Sequence, residues 1–176
     1  MVKLIIQKSI YCFNGGFMEE NLRKIIKILT EEDKTISTME SCTGGALVCE
    51  ITNIEGASNV LKYSAVTYSN EFKMKMGVDK GIIEKYSVYS KETAREMSRK
   101  ISDFTGSNYS VGITGKLNRR DDNNNYGKDN EVFISIYNKD ICKYYDYSLI
   151  VKNDTRKENK EQIVDFICDK LIEILN

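Results

Sequence analysis

Apolar residues recur along the chain with two alternating periods, one of helices and one of strands. In residues 19–32, EENLRKIIKILTEE, the apolar positions Leu22, Ile25, Ile26 and Leu29 fall on one helical face. Residues 34–39 carry β-branched residues and predict a short strand that runs into Glu40-Ser41-Cys42-Thr43-Gly44-Gly45. ALVCEIT follows with the spacing of a helix, so the first unit is helix, strand, glycine turn, helix. Residues 62–69 predict a second strand. NEFKMKMGV predicts a helical turn capped by Asn70, and a short helix is expected at 80–86. A longer helix starts at Ser90, with Ala94, Met97, Ile101 and Phe104 as its apolar stripe. Residues 108–114 predict a third strand ending at Thr114-Gly115. A polar loop rich in Asn and Asp, expected to be mobile, fills 116–130. Two strands at 131–137 and 141–149 are joined at 138–140, and the tyrosines at 144, 145 and 147 alternate along the second as sheet packing. A helix over 156–175 presents Ile163, Ile167, Leu171 and Ile174. The order βαβααβ then ββα predicts a mixed, mainly parallel sheet with helices on both faces, a three-layer α/β/α sandwich.

The length of 176 residues suits one domain. Residues 18–176 are expected to form it, with residues 1–17 a disordered extension or a misassigned start. Charge adds little: 26 basic and 26 acidic side chains cancel, which removes any global attraction to nucleic acid or an anionic membrane. Five cysteines without C-x-x-C spacing predict free thiols in the cytoplasm, with no metal site. The absence of histidine excludes a Ser-His-Asp triad and any imidazole acid or base. Catalysis at neutral pH would have to use Lys, Tyr, Cys, a carboxylate or backbone amides.

The candidate chemistry follows from the strand ends. Ser41 lies between a strand and a glycine turn that opens a helix, at the edge of an open sheet where ligands bind. Tyr68 ends the second strand and Lys73 lies one turn into the next helix. A hydroxyl nucleophile needs a base, and a lysine of lowered pKa can serve. Cys42 is a rival nucleophile, but it has no histidine to generate its thiolate. Arg156 and Lys160, one turn apart, could hold a phosphate together with helix N-terminal amides. The plain alternatives are a tight turn, solvated lysines and a surface basic pair.

The blocks ESCTGG (40–45), GAS (56–58), VTYSNEFKMKMGV (66–78), VYSKETAREM (88–97) and GITG (112–115) resemble, in order and spacing, the CinA C-terminal domain family. The resemblance covers about residues 20–175. It implies deamidation of nicotinamide mononucleotide to nicotinic acid mononucleotide and ammonia, without a cofactor or metal, by a cytoplasmic homo-oligomer, a dimer. By the family's motifs, Ser41, Tyr68 and Lys73 form the catalytic group. Glu40, Cys42, Thr43, Gly44, Gly45, Thr114, Gly115 and Arg156 are implied to bind substrate. The chain departs from the family after Thr114-Gly115, where Lys116-Leu117 and the Asn/Asp-rich loop replace a Gly/Pro loop. Two alternatives stay open on that account: a non-catalytic nucleotide-binding or regulatory relative, and a serine–lysine amidase for another small amide.

Overall fold

The computed structural model describes residues 2–122 and 127–176, with side chains from Gly16 onward. In chain order the elements are α1 (Val2–Glu31), β1 (Ile36–Glu40), α2 (Ala46–Thr52), α3 (Ala57–Val60), β2 (Leu61–Val66), α4 (Asn70–Lys75), α5 (Lys80–Tyr86), α6 (Lys91–Thr105), β3 (Tyr109–Gly115), β4 (Glu131–Asn138), β5 (Lys143–Ile150) and α7 (Arg156–Leu175). The sheet order is β2-β1-β3-β4-β5. β1 runs parallel to β2 and β3, and β4 is antiparallel to β3 and β5. β4 alone therefore opposes the other strands, and helices cover both faces, as the element order predicts.

The two faces are built differently. Alternation sends Ile36, Tyr109, Val111, Ile113, Val132, Ile134 and Ile136 to one side, where they meet Leu22, Ile25 and Leu29 of α1 and Ile163, Ile167 and Leu171 of α7. The opposite side carries small residues. α6 lies against them through a buried seam of hydroxyls: Ser110 donates to the Ser98 carbonyl at 2.7 Å, Ser98 to Ser135 at 3.2 Å, and Ser102 to the Ser107 carbonyl at 2.8 Å. Met39, Ala65, Val78, Met97 and Ile101 form the apolar part of this layer.

Gly112 is what lets α6 approach. A Cβ there would lie 2.2 Å from the Ala94 carbonyl oxygen and 2.6 Å from the Ser98 amide nitrogen. Both are backbone atoms, so no rotamer change relieves the clash. Gly112→Ala is expected to destabilise the fold by about 3 kcal/mol, lowering Tm by about 10 °C in a thermal melt.

Several local expectations shift. Phe104 is 67% exposed and sits beside Tyr63, with ring centroids 5.6 Å apart, instead of joining the buried stripe of α6. Thr93, Ser98 and Ser102 are buried in its place. Ser69 caps α4, its hydroxyl accepting from the Phe72 amide at 3.2 Å, and Asn70 is the first helical residue. β2 ends at Val66, which leaves Thr67 and Tyr68 in the following turn. α1 contains the helix expected from 19 onward. The expectation of a disordered extension falls mostly on residues whose side chains lie outside the description. Among the described residues, no helix is long and apolar enough to cross a membrane.

Candidate active site

β1, β2 and β3 end side by side, and their carboxyl ends form the site. Ser41 leaves β1 with its amide bonded to the Ile113 carbonyl of β3 at 3.0 Å. On the other flank, the Thr67 amide donates to the Glu40 carbonyl at 2.8 Å. These two bonds extend the sheet by one residue and hold Ser41 and the β2–α4 turn in register.

Lys73 is brought onto Ser41 by α4. Its Nζ lies 3.0 Å from Ser41 Oγ and 2.7 Å from the Thr67 carbonyl oxygen. Lys73 is 1% exposed, and among the described residues no carboxylate is bonded to it. Burial of the ammonium lowers its pKa from 10.5 to about 8. A lysine at its ordinary value would be neutral in roughly one molecule in a thousand near pH 7.5. Cys42, the rival nucleophile, is buried and burial pushes its thiol up to about 12. It remains a thiol at neutral pH and cannot compete.

Tyr68 stands apart from that pair. It is 66% exposed, and its hydroxyl accepts from Arg156 Nη2 at 3.3 Å. Tyr68 and Arg156 thus meet at the mouth, one from the β2–α4 turn and the other from the first residue of α7. Lys160, one turn further on, reaches the glycine turn: its Nζ lies 3.2 Å from where a Gly44 Cβ would stand. Gly44 and Gly45 turn the chain with φ of +63° and +91°, a region that disfavours other residues.

The remaining expected substrate contacts are used internally. Glu40 is fully buried and accepts from the amides of Gly45, Leu47 and Val48. Thr43 is buried and donates to Glu40 at 2.7 Å. Thr114 is buried and donates to the Val88 carbonyl at 2.8 Å, tying the end of β3 to the turn before α6. Gly115 makes room for β4, since a Cβ there would lie 2.5 Å from the Glu131 carbonyl oxygen. The helix ends are occupied too. Glu40 fills the start of α2, and a capping box of Thr155 and Glu158 fills the start of α7. The positive charge beside the strand ends is that of the Arg156 and Lys160 side chains.

Sequence reasoning passed over two features. The Thr67 carbonyl orients Lys73, a backbone role that no side-chain pattern signals. Lys116 is buried, pairs with Asp129 at 3.1 Å and lies 5.2 Å from the Tyr89 ring centroid. Tyr89 in turn donates to Asp121 at 2.6 Å. These contacts pin both described ends of the 116–130 loop; residues 123–126 lie outside the description.

Residues 18–175 match the family model described as the CinA C-terminal domain. The chain belongs to the CinA C-terminal domain family. A CinA-like protein of Flavobacterium psychrophilum is 38% identical over 126 residues, covering 69% of this chain and 29% of that protein. A Clostridium botulinum protein described as competence-damage inducible is 40% identical over 116 residues, covering 65% of this chain and 27% of its own length. The chain thus spans little more than a quarter of the curated relatives it matches. The competence/damage inducible protein CihA of Agrobacterium tumefaciens superposes with a TM-score of 0.84 at 25% identity, covering 91% of this chain and 96% of that one. The CinA-family fold accounts for the strand order and the convergence of three strand ends on Ser41.

Proposed function

We propose that this CinA-family chain is an amidohydrolase that deamidates nicotinamide mononucleotide to nicotinic acid mononucleotide and ammonia. The observation that carries the chemistry is the buried Lys73 amine 3.0 Å from Ser41 Oγ, with a pKa lowered to about 8. Neutral Lys73 takes the Ser41 proton as Oγ attacks the carboxamide carbon. The Thr67 carbonyl accepts one N–H of the amine, which helps orient its lone pair toward Oγ. The tetrahedral intermediate collapses as protonated Lys73 returns the proton to the departing nitrogen, and ammonia leaves. Water, deprotonated by the same amine, then hydrolyses the ester on Ser41.

The substrate class comes from the family resemblance and from the two cations at the mouth. Arg156 and Lys160 supply the charge for a phosphate, with Tyr68 beside them. Arg156→Ala is expected to raise KM for the mononucleotide by about tenfold or more, with a much smaller change in kcat. Lys157→Ala removes an equal charge one residue away, where Lys157 pairs with Glu161 at 3.8 Å, and is expected to leave KM unchanged. Steady-state kinetics on the two variants checks this.

Ammonia release from nicotinamide mononucleotide tests the proposal. Turnover by the parent protein that is lost in Ser41→Ala supports it. Binding of the mononucleotide in a thermal-shift assay without turnover supports a non-catalytic relative instead. A second amide substrate is favoured by one observation, the buried Lys116 that reaches out to the exposed Asp129 at the root of the 116–130 loop. Turnover of another small amide in place of the mononucleotide would establish that reading.

A further inference from the structure

The turn that carries Ser41 is built around a buried anion that no substrate can reach. Both oxygens of the Glu40 carboxylate are occupied as acceptors. Oε1 accepts from the Val48 amide at 2.9 Å and from Thr38 Oγ1 at 3.4 Å. Oε2 accepts from Thr43 Oγ1 at 2.7 Å, the Gly45 amide at 3.1 Å and the Leu47 amide at 3.2 Å. The residue is 0% exposed.

Most backbone amides from 41 to 48 have an acceptor within the protein. Those of Gly45, Leu47 and Val48 go to Glu40. Ser41 donates to Ile113, Gly44 to the Ser41 carbonyl and Ala46 to the Thr43 carbonyl. Among the described residues, only the amides of Cys42 and Thr43 in this stretch donate to neither a carbonyl nor Glu40; the Cys42 amide faces only its own side-chain sulfur. They follow the nucleophile directly, and the amide after a nucleophile is a recurrent oxyanion donor. Resting on the serine–lysine amidase reading, we propose that Glu40 is a positioning residue: it locks the 41–48 turn so that the Cys42 and Thr43 amides face the developing oxyanion. It touches no substrate. It acts by drawing competing donors out of the site and by fixing the turn before the reaction starts, which is what makes an oxyanion hole effective.

Glutamine cannot take over. Each oxygen faces at least one N–H donor, so the NH2 group of Glu40→Gln would confront a donor whichever way the amide is flipped. The experiment measures parent and Glu40→Gln on nicotinamide mononucleotide and on its thioamide counterpart, whose sulfur is a weaker hydrogen-bond acceptor. Labelling of Ser41 by a fluorophosphonate, followed by intact mass, runs in parallel. In that reaction the Oγ–P bond forms, the P–F bond breaks with loss of fluoride, and the Ser41 proton passes to Lys73.

With Tm maintained, Glu40→Gln is expected to lower kcat on the amide by about 100-fold with KM unchanged. The ratio of amide to thioamide turnover should fall about tenfold, and labelling should slow to a similar degree. A loss of folded protein lowers both turnovers equally, so an unchanged ratio with unchanged labelling per folded molecule overturns the proposal. If the parent releases ammonia from neither substrate, the amidase reading fails and labelling alone decides the role of Glu40. A parent that is not labelled either has no working oxyanion hole, which also overturns it. If Glu40→Gln does not fold, Thr43→Val, which removes one donor to Oε2, replaces it with an expected tenfold slowing of labelling.

Discussion

Ser41→Ala is expected to abolish ammonia release from nicotinamide mononucleotide, a fall of about 10⁴-fold or more. Loss of the nucleophile removes the acyl-enzyme route altogether, and what survives is only the effect of binding and oriented amides. The substitution deletes one buried oxygen. It leaves the Ser41 amide on Ile113 and the Glu40 carbonyl on Thr67, the two bonds that hold the site in register. Binding of the mononucleotide should therefore persist, because the cations at the mouth are untouched. A coupled ammonia assay and a thermal-shift titration read the two halves of this result. Residual activity within tenfold of the parent would rule out Ser41 as nucleophile.

Lys73→Met should lower kcat/KM by about 10³-fold at pH 7.5, in the range of a lost general base. Parent kcat/KM is expected to rise with pH and level off above a pKa near 8, because the neutral amine is the active form. Lys73→Met should lose that limb. Stability gives the second readout, and its sign is fixed by linkage. The pKa is about 8 in the folded protein and 10.5 in the unfolded chain, so the unfolded state binds more protons between those values. The Lys73 contribution to stability then climbs with pH through that window, against the opposing fall from buried thiols and tyrosines whose pKa values burial raises. Below pH 8 the buried ammonium costs the fold about 3 kcal/mol. Lys73→Met removes this cost, so its Tm at pH 7 should equal or exceed that of the parent, and the stability difference between the two should shift in the parent's favour as pH rises from 8 to 10.5. Thermal melts across that range check it. A variant that loses activity because it unfolds would show the reverse.

Much of this site is legible in the sequence because it depends on strand ends. The apolar and β-branched runs at 34–39 and 108–114 predict two strands, and the glycines after Ser41 mark the turn from the first of them into a helix. Once β1 and β2 are neighbours, Lys73 has little choice but to reach Ser41. What escapes the sequence is tertiary. Glu40 precedes α2 by six residues, a separation outside the usual capping pattern, and it becomes a cap only because Gly44 and Gly45 fold the chain back. Phe104 has the right spacing for the apolar stripe of α6, yet it falls in the last turn, where Tyr63 is its neighbour. Thr93, Ser98 and Ser102 look like a solvent face, because a hydroxyl seam under a helix has no hydrophobic signature. α3 has four residues, too few for any period to show.

The same hydroxyl seam has a consequence for alignment. A helix resting on a purely apolar surface can rotate or slide by a fraction of an ångström at little cost, since dispersion contacts are weakly directional. Hydrogen bonds are directional, and α6 is keyed to the sheet by two of them, through Ser110 and Ser135, and to the segment before β3 by a third. The keyed helix sets the azimuth of its own first turn, where Thr93 and Ser90 both donate to the Ser87 carbonyl. The next residue, Val88, receives Thr114 from the end of β3. The rim of the site is thus indexed to the far side of the sheet, and the polar layer that looks least like a core sets the tolerance to which the strand-end edge is built.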